Sequence, residues 1–157
     1  MKKICIDLHG SPIPGMLPQQ GDFASICDEF DASNRYDQAL GFDDMSVITL
    51  VSAGKIIGFC SYYFHVFNIK EDERLMTTTI DSVFIVESER RKNLSKILAN
   101  HVAQDLLEFE RLDESCGQKP THESTSDPVT HEGARFVNYV YRIHSTLKQQ
   151  EQGFSKP

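Results

Sequence analysis

The stretch "DSVFIVESERRKNLSKIL", residues 81–98, changes its hydrophobic period half-way along. Ser82 to Val86 is a β-branched and aromatic run, whereas from Asn93 onward the apolar residues recur every three or four positions. A strand therefore feeds a helix across the basic triplet Arg90-Arg91-Lys92, with no glycine at the junction. Such a corner is either a cradle for an anion or a solvated turn whose cations pair with Glu87 and Glu89. Cations at a helix N-terminus oppose the helix dipole, which an anionic ligand would relieve.

Upstream, "SVITLVSAGKIIGFCSYYFHVF" (46–67) holds two strand-like runs joined at Ser52-Ala53-Gly54-Lys55, a hairpin signal. A third run, "RLMTTTIDSVFIV" (74–86), follows the charged turn "IKEDER", so residues 46–86 read as a three-stranded antiparallel meander. Downstream, Leu94, Ile97, Leu98, Val102, Leu106 and Phe109 form one apolar stripe on a helix over 93–112. A half-apolar sheet face and a helical stripe each need a partner to leave water, so the two are expected to pack together.

The ends read less sharply. Residues 3–8 alternate as a short strand, and "HGSPIPGMLPQQG" after them is a loop. Residues 22–41 suggest one or two short helices, with Asp22 as N-cap and Gly41 as stop. Residues 113–133 are polar and rich in Ser, Thr, Gly and Pro, which predicts a long loop with at most a short strand near Val129. A last helix over 134–150 carries Phe136, Val137, Val140, Tyr141, His144 and Leu147 on one side, and residues 150–157 are expected to fray.

A chain of 157 residues is the usual size of one domain, and 39% hydrophobic with 25% charged residues excludes collagenous, fully disordered and disulfide-dense classes. The net charge of -7 argues against nucleic acid as a partner, because duplex affinity comes from neutralising phosphates. An anionic ligand would instead need a local basic island such as Arg90, Arg91, Lys92 and Lys96. The four cysteines form no C-x-x-C pair and read as reduced thiols. No apolar run has the length of a signal peptide or membrane span, so a cytoplasmic location without a membrane partner is expected by default.

Strand, one or two helices, three antiparallel strands, basic turn, long helix, weak strand, final helix: this order resembles the GNAT N-acetyltransferase superfamily. The resemblance is strongest at residues 81–98, where members read like D-S-L-Y-V-x-P-E-x-R-G-K-G-I-G-x-x-L. Asp81, Ser82, Val83, Phe84 and Ile85 match the strand, Arg90 the motif's Arg, and Leu94 and Leu98 the helix. Arg91, Asn93 and Ser95 stand where that family has glycines; Asn tolerates left-handed backbone angles and Ser is small.

The resemblance implies an α+β fold with a mostly antiparallel central sheet flanked by helices, as a single domain over 1–157. It implies acetyl-CoA as cofactor and a primary amine, on a small molecule or a protein, as acceptor. Cofactor-binding residues would be Arg90, Arg91, Lys92, Asn93, Leu94 and Ser95 at the pyrophosphate, with Ile85 and Val86 pairing with the pantetheine arm. The backbone amide near Val86 would stabilise the oxyanion as the amine attacks the thioester directly. Tyr141, with Tyr139 as the fallback, would protonate the departing thiolate, and Asp81 would be the base.

Plainer readings stand beside these. Asp81 also reads as an exposed strand residue, although a carboxylate among Ile80, Val83 and Ile85 ionises less readily if it faces a cleft. Tyr141 also reads as a packed core residue. "THE" at 121–123 and 130–132 places His122, Glu123, His131 and Glu132 in one loop, but without metal-site spacing, so no metal is expected. Cys60, inside an aromatic-rich strand, reads as a buried structural thiol. Two other functions remain: a GNAT-fold binding or regulatory module without catalysis, and an acidic interaction domain using Asp28, Glu29, Asp31, Asp37, Asp43 and Asp44. Oligomeric state is open, a homodimer included.

Overall fold

The computed structural model describes residues 1–24, 30–71, 73–114, 121–126 and 130–154. In chain order these form β1 (Lys3–Ile6), α1 (Phe30–Gly41), β2 (Ser46–Ser52), β3 (Lys55–Lys70), β4 (Glu73–Ile85), a 3-10 turn (Glu87–Glu89), α2 (Leu94–Glu114), β5 (Thr121–Ser124) and α3 (His131–Phe154). The strands make one five-stranded sheet in the order β1-β2-β3-β4-β5. Its centre is the expected meander, and a parallel pair lies at each edge, β1 with β2 and β4 with β5. The hairpin between β2 and β3 closes as its sequence requires: Ala53 and Gly54 both take positive φ, 49° and 73°, and Ser52 pairs with Lys55.

The chain divides into two compact units: Met1–Tyr63 with Ile80–Leu98, and Phe64–Thr79 with Ala99–Pro157. In the first unit, β1 runs parallel to β2 from Lys3↔Val47 to Ile6↔Leu50, and β2 runs antiparallel to β3 from Ser46↔Tyr62. Its core is an aromatic group: Phe23 lies edge-on to Phe59 at 5.2 Å and to Phe84 at 5.4 Å, and Tyr36 lies 5.1 Å from Phe59. Each of the buried rings, Phe23, Tyr36 and Phe59, contributes about 1.5–3 kcal/mol by leaving water. Tyr36 keeps its hydroxyl paired, 3.1 Å from Thr49 Oγ1. Gly58 is required where β3 meets β4, because a Cβ there would lie 2.7 Å from the Phe84 carbonyl oxygen. Helix α1 ends at Gly41 with a cation on its carbonyls: Lys3 Nζ donates to Leu40 O at 2.7 Å and to Phe42 O at 3.0 Å.

In the second unit, β5 pairs with β4 in parallel from Leu75↔Thr121 to Thr78↔Ser124. Phe64 of β3 packs on Phe109 of α2 with ring centroids 5.2 Å apart, and Arg74 of β4 forms an ion pair with Asp113 at the end of α2. Phe136 and Val140 form the buried stripe of α3.

Three expectations need revision. Among the described residues Asp22 lies in a turn, where it accepts the amide of Gln19, and the helix begins at Phe30; residues 25–29 lie outside the described ones. The strand of the polar stretch is "THES" at 121–124, chosen by pairing with β4 and not by propensity, while Val129 lies outside the described residues. The last helix starts at His131 and runs on through Phe154, so residues 150–154 are helical. No helix among the described residues is long and apolar enough to cross a membrane.

Candidate functional site

The basic junction is built by backbone. Strand β4 ends on β3 with Val86 N–H donating to Ile57 O at 2.9 Å, and the 3-10 turn follows, with Arg90 N–H on Glu87 O at 3.2 Å. Arg91 and Asn93 then take left-handed φ values of 68° and 60°, while Lys92 between them does not. These are two of the three positions where the resembled motif has glycine. A side chain in that region costs roughly 1–2 kcal/mol, less for Asn, so the loop holds a glycine-like path without glycines. Alternating handedness of this kind turns successive N–H groups to one side and forms an anion-binding concavity.

Helix α2 begins immediately after, at Leu94, and carries no acidic residue in its first turn. Its first amides have no intrahelical acceptor, and the dipole favours negative charge there. Lys96 N–H is drawn back to Asn93 O at 3.1 Å. Arg91, Lys92, Asn93 and Ser95 are exposed, and Leu94 is buried as the anchor of the turn. The residues expected to meet a diphosphate, Arg91 to Ser95, are thus contiguous at the start of α2.

The side chains of the triplet divide their tasks. One peptide unit links Ile85 C=O and Val86 N–H, and in a trans peptide these point opposite ways. Val86 N–H faces β3, so Ile85 O faces away from it, and there it accepts the Nε–H of Arg90 at 2.9 Å. The Arg90 guanidinium also lies 5.4 Å from the Phe84 ring centroid. Lys92 pairs with Glu89 at 2.8 Å, as the solvated-corner reading anticipated for one cation. The Val86 amide, expected as the oxyanion donor, is instead bonded to Ile57, because it forms the last rung between β4 and β3.

Asp81 is exposed on β4 and accepts two hydroxyls, Ser61 Oγ at 3.1 Å and Ser82 Oγ at 2.9 Å. Cys60 is fully buried, and burial, then the nearby Asp81 charge, pushes its thiol well above the ordinary range, which leaves it inert as a nucleophile.

Tyr141 lies on α3 with its hydroxyl buried and without a hydrogen-bond partner among the described residues. Its ring centroid is 5.6 Å from that of His122. His122 opens onto a group that sequence reasoning did not assemble. Glu110 of α2 is buried; its Oε2 lies 2.9 Å from His144 Nε2 and 2.9 Å from Lys148 Nζ, both on α3. His122 of β5 stands with Nδ1 3.9 Å from Glu110 Oε1 and Nε2 2.7 Å from Thr78 Oγ1. Burial alone would raise the Glu110 pKa, but the hydrogen bonds and charges of His144 and Lys148 outweigh it and hold the carboxyl down at about 2. Burial keeps the His122 pKa below its ordinary value, so its ring favours the neutral form. The available signal was the i, i+3, i+7 spacing of Tyr141, His144 and Lys148 on one face of the last helix. Among the described residues no group of three or more His, Cys, Asp or Glu is arranged to hold a metal ion.

Known structures decide the fold. A ribosomal-protein-alanine N-acetyltransferase from Brucella melitensis biovar Abortus 2308 superposes with a TM-score of 0.50 at 15% identity, covering 77% of this chain and 82% of that one. The chain has the GNAT acetyltransferase fold. A KacTA–DNA complex contains a chain that matches with a TM-score of 0.51 at 13% identity, over 80% of this chain and 73% of that one. No family model matches the GNAT-fold chain, and no curated protein does.

Proposed function

We propose that this protein is an acetyl-CoA-dependent N-acetyltransferase whose acceptor is a primary amine. The observation that carries the reading is the left-handed pair Arg91 and Asn93 directly before α2. The chain keeps, at some strain, the backbone that a diphosphate needs, in the place where the resembled motif binds one. Acetyl-CoA would supply the activated acetyl thioester. The amides from Arg91 to Ser95 would hold its diphosphate, and Arg90 would brace the strand end beside them through Ile85 O. Tyr141 would give its hydroxyl proton to the departing thiolate; a buried hydroxyl without a partner is otherwise a net loss of about 1–3 kcal/mol. Asp81, held by Ser61 and Ser82, would accept the amine's proton. The net charge of -7 favours a cationic acceptor and is the basis for proposing no nucleic-acid partner. A cytoplasmic location is part of the same proposal.

A second reading has its own observation. Ile85 O and Val86 N–H, the backbone groups expected to meet pantetheine and substrate, already have internal partners. This favours a GNAT-fold binding or regulatory module that does not transfer the acetyl group, any cofactor being held at the diphosphate turn alone. Thermal unfolding with millimolar acetyl-CoA, followed by thiol release over a panel of primary amines, separates the two. A ligand at a hundred times its Kd stabilises by about 2.7 kcal/mol, which moves the midpoint by several degrees. No shift overturns both readings. A shift with no thiol release on any amine leaves the binding module.

A further inference from the structure

The Glu110 group holds one buried atom for which no hydrogen-bond partner is found among the described residues, the Tyr141 hydroxyl. Among the described residues its polar side chains meet in pairs: Glu110 with His144 and Lys148, and His122 with Thr78. The hydroxyl of Tyr141 has no such pair, although its ring rests against His122. Tyr141, His144 and Lys148 follow one another at i, i+3 and i+7, so they share a face of α3. Two charge-assisted bonds from that face to a single carboxylate on α2 fix both the rotation of α3 about its axis and its position along it. The ring of His122 closes the arrangement from β5, 5.6 Å from Tyr141 and 6.0 Å from His144.

We infer that Glu110 is a positioning residue: through His144 and Lys148 it sets the orientation of Tyr141, with His122 as the backing of the phenol ring. The inference rests on the reading of Tyr141 as the acid of the proposed transfer. The group ties down the side chains around the phenol, while the phenol's own O–H is buried with no partner among the described residues. An isolated ion pair placed only for stability would have no reason to be gathered on the helix face that carries Tyr141.

The test uses the whole chain labelled with 3-fluorotyrosine, the Tyr141 fluorine resonance being the one lost in Tyr141→Phe. In Glu110→Gln that resonance is expected to move or broaden while the other tyrosine resonances hold. In the amine assay kcat is expected to fall about tenfold, which is about 1.4 kcal/mol of transition-state stabilisation, with KM for acetyl-CoA unchanged. Lys148→Met, which removes one of the two ties at a partly exposed position, is expected to give the same changes at smaller size and serves if Glu110→Gln does not fold. An unmoved Tyr141 resonance in both variants, or a KM effect in place of the kcat effect, overturns the inference. If Tyr141→Phe leaves kcat intact, the acid reading fails, and the fluorine resonance still decides whether Glu110 orients the ring.

Discussion

The two ends of α2 solve their problems with different parts of the chain. At the N-terminal end the shape is in the backbone: left-handed angles at Arg91 and Asn93, and the rung from Val86 to Ile57. At the other end the shape is in side chains: one carboxylate, Glu110, holds His144 and Lys148 of α3. The difference teaches where each end is vulnerable. A replacement at the first end acts mainly through the path and close packing of the backbone, whereas at the second a single lost functional group leaves His144 and Lys148 without their shared acceptor.

The largest expected effect is therefore at Glu110. Glu110→Leu removes the acceptor from a buried arrangement and is expected to destabilise by about 3 kcal/mol, at the low end for broken buried pairs because Lys148 reaches solvent. Its pH dependence has a definite sign. The folded-state pKa of about 2 lies below the ordinary 4.5, so Glu110's contribution is full above about pH 4.5 and is lost as pH falls through 2. Urea melts of wild type and variant should differ clearly above about pH 4.5, and the difference should shrink as pH falls towards 2. A constant difference down to pH 2 would show that Leu acts through packing alone, which breaks the contrast.

At the backbone end the next largest effect is at Gly58, which braces β4 just before the turn. Gly58→Ala puts a methyl 2.7 Å from the Phe84 carbonyl oxygen, a backbone atom that cannot swing aside. Overpacking of this kind costs about 1–3 kcal/mol, and a fall of that size in chemical-denaturation stability is the expected result. Stability unchanged within error would mean that β3 and β4 part easily there, and that the junction is not held by close backbone approach.

How much of this was legible in the sequence follows from the same contrast. The meander, the turn and α2 are contiguous from residue 46 to 114, and their periods of two and three to four residues are local signals. The glycine-like path was legible in part: Asn93 announces tolerance of the left-handed region, but nothing in Arg91 does, because the strain there is imposed by the turn and helix on either side. The Glu110 group joins His144 and Lys148, which share a helix face by their spacing, to residues 78, 110 and 122, which no local pattern connects to them. Strand β5 was misplaced for a related reason, since "THES" has little strand character and takes it from Leu75–Thr78 of β4. Asp81 shares its strand face with Val83 and Ile85, yet its carboxylate is exposed and held by the hydroxyls of Ser61 and Ser82, partners that no local pattern announces.

Asn93→Val is the next test of the backbone end. A β-branched residue pays the full left-handed penalty that Asn largely escapes, so a loss of about 1–2 kcal/mol is expected. The stabilisation by acetyl-CoA should fall with it, because the amides lose their common direction. Retained stabilisation by acetyl-CoA in a destabilised Asn93→Val would separate the strain from the anion site and weaken the cradle reading.

The smallest effect, and the one with opposite sign, belongs to Arg91→Gly. Glycine reaches φ of 68° without steric cost, which returns about 1 kcal/mol or more, but it also enlarges the unfolded ensemble, which removes about 0.4–1 kcal/mol. The two nearly cancel, leaving a change within about 1 kcal/mol and a midpoint shift of at most a few degrees for a chain of this size. Arg91 is exposed, so little packing is lost with the side chain. Binding is the sharper readout. If the amides carry the anion, glycine preserves the path and acetyl-CoA stabilises the variant as well as it does wild type. If the guanidinium carries it, the stabilisation drops and weakens less steeply with added salt than in wild type, because one counter-charge is gone. The first outcome places recognition in the backbone, as the left-handed pair implies; the second moves it to a side chain and makes the two ends of α2 alike.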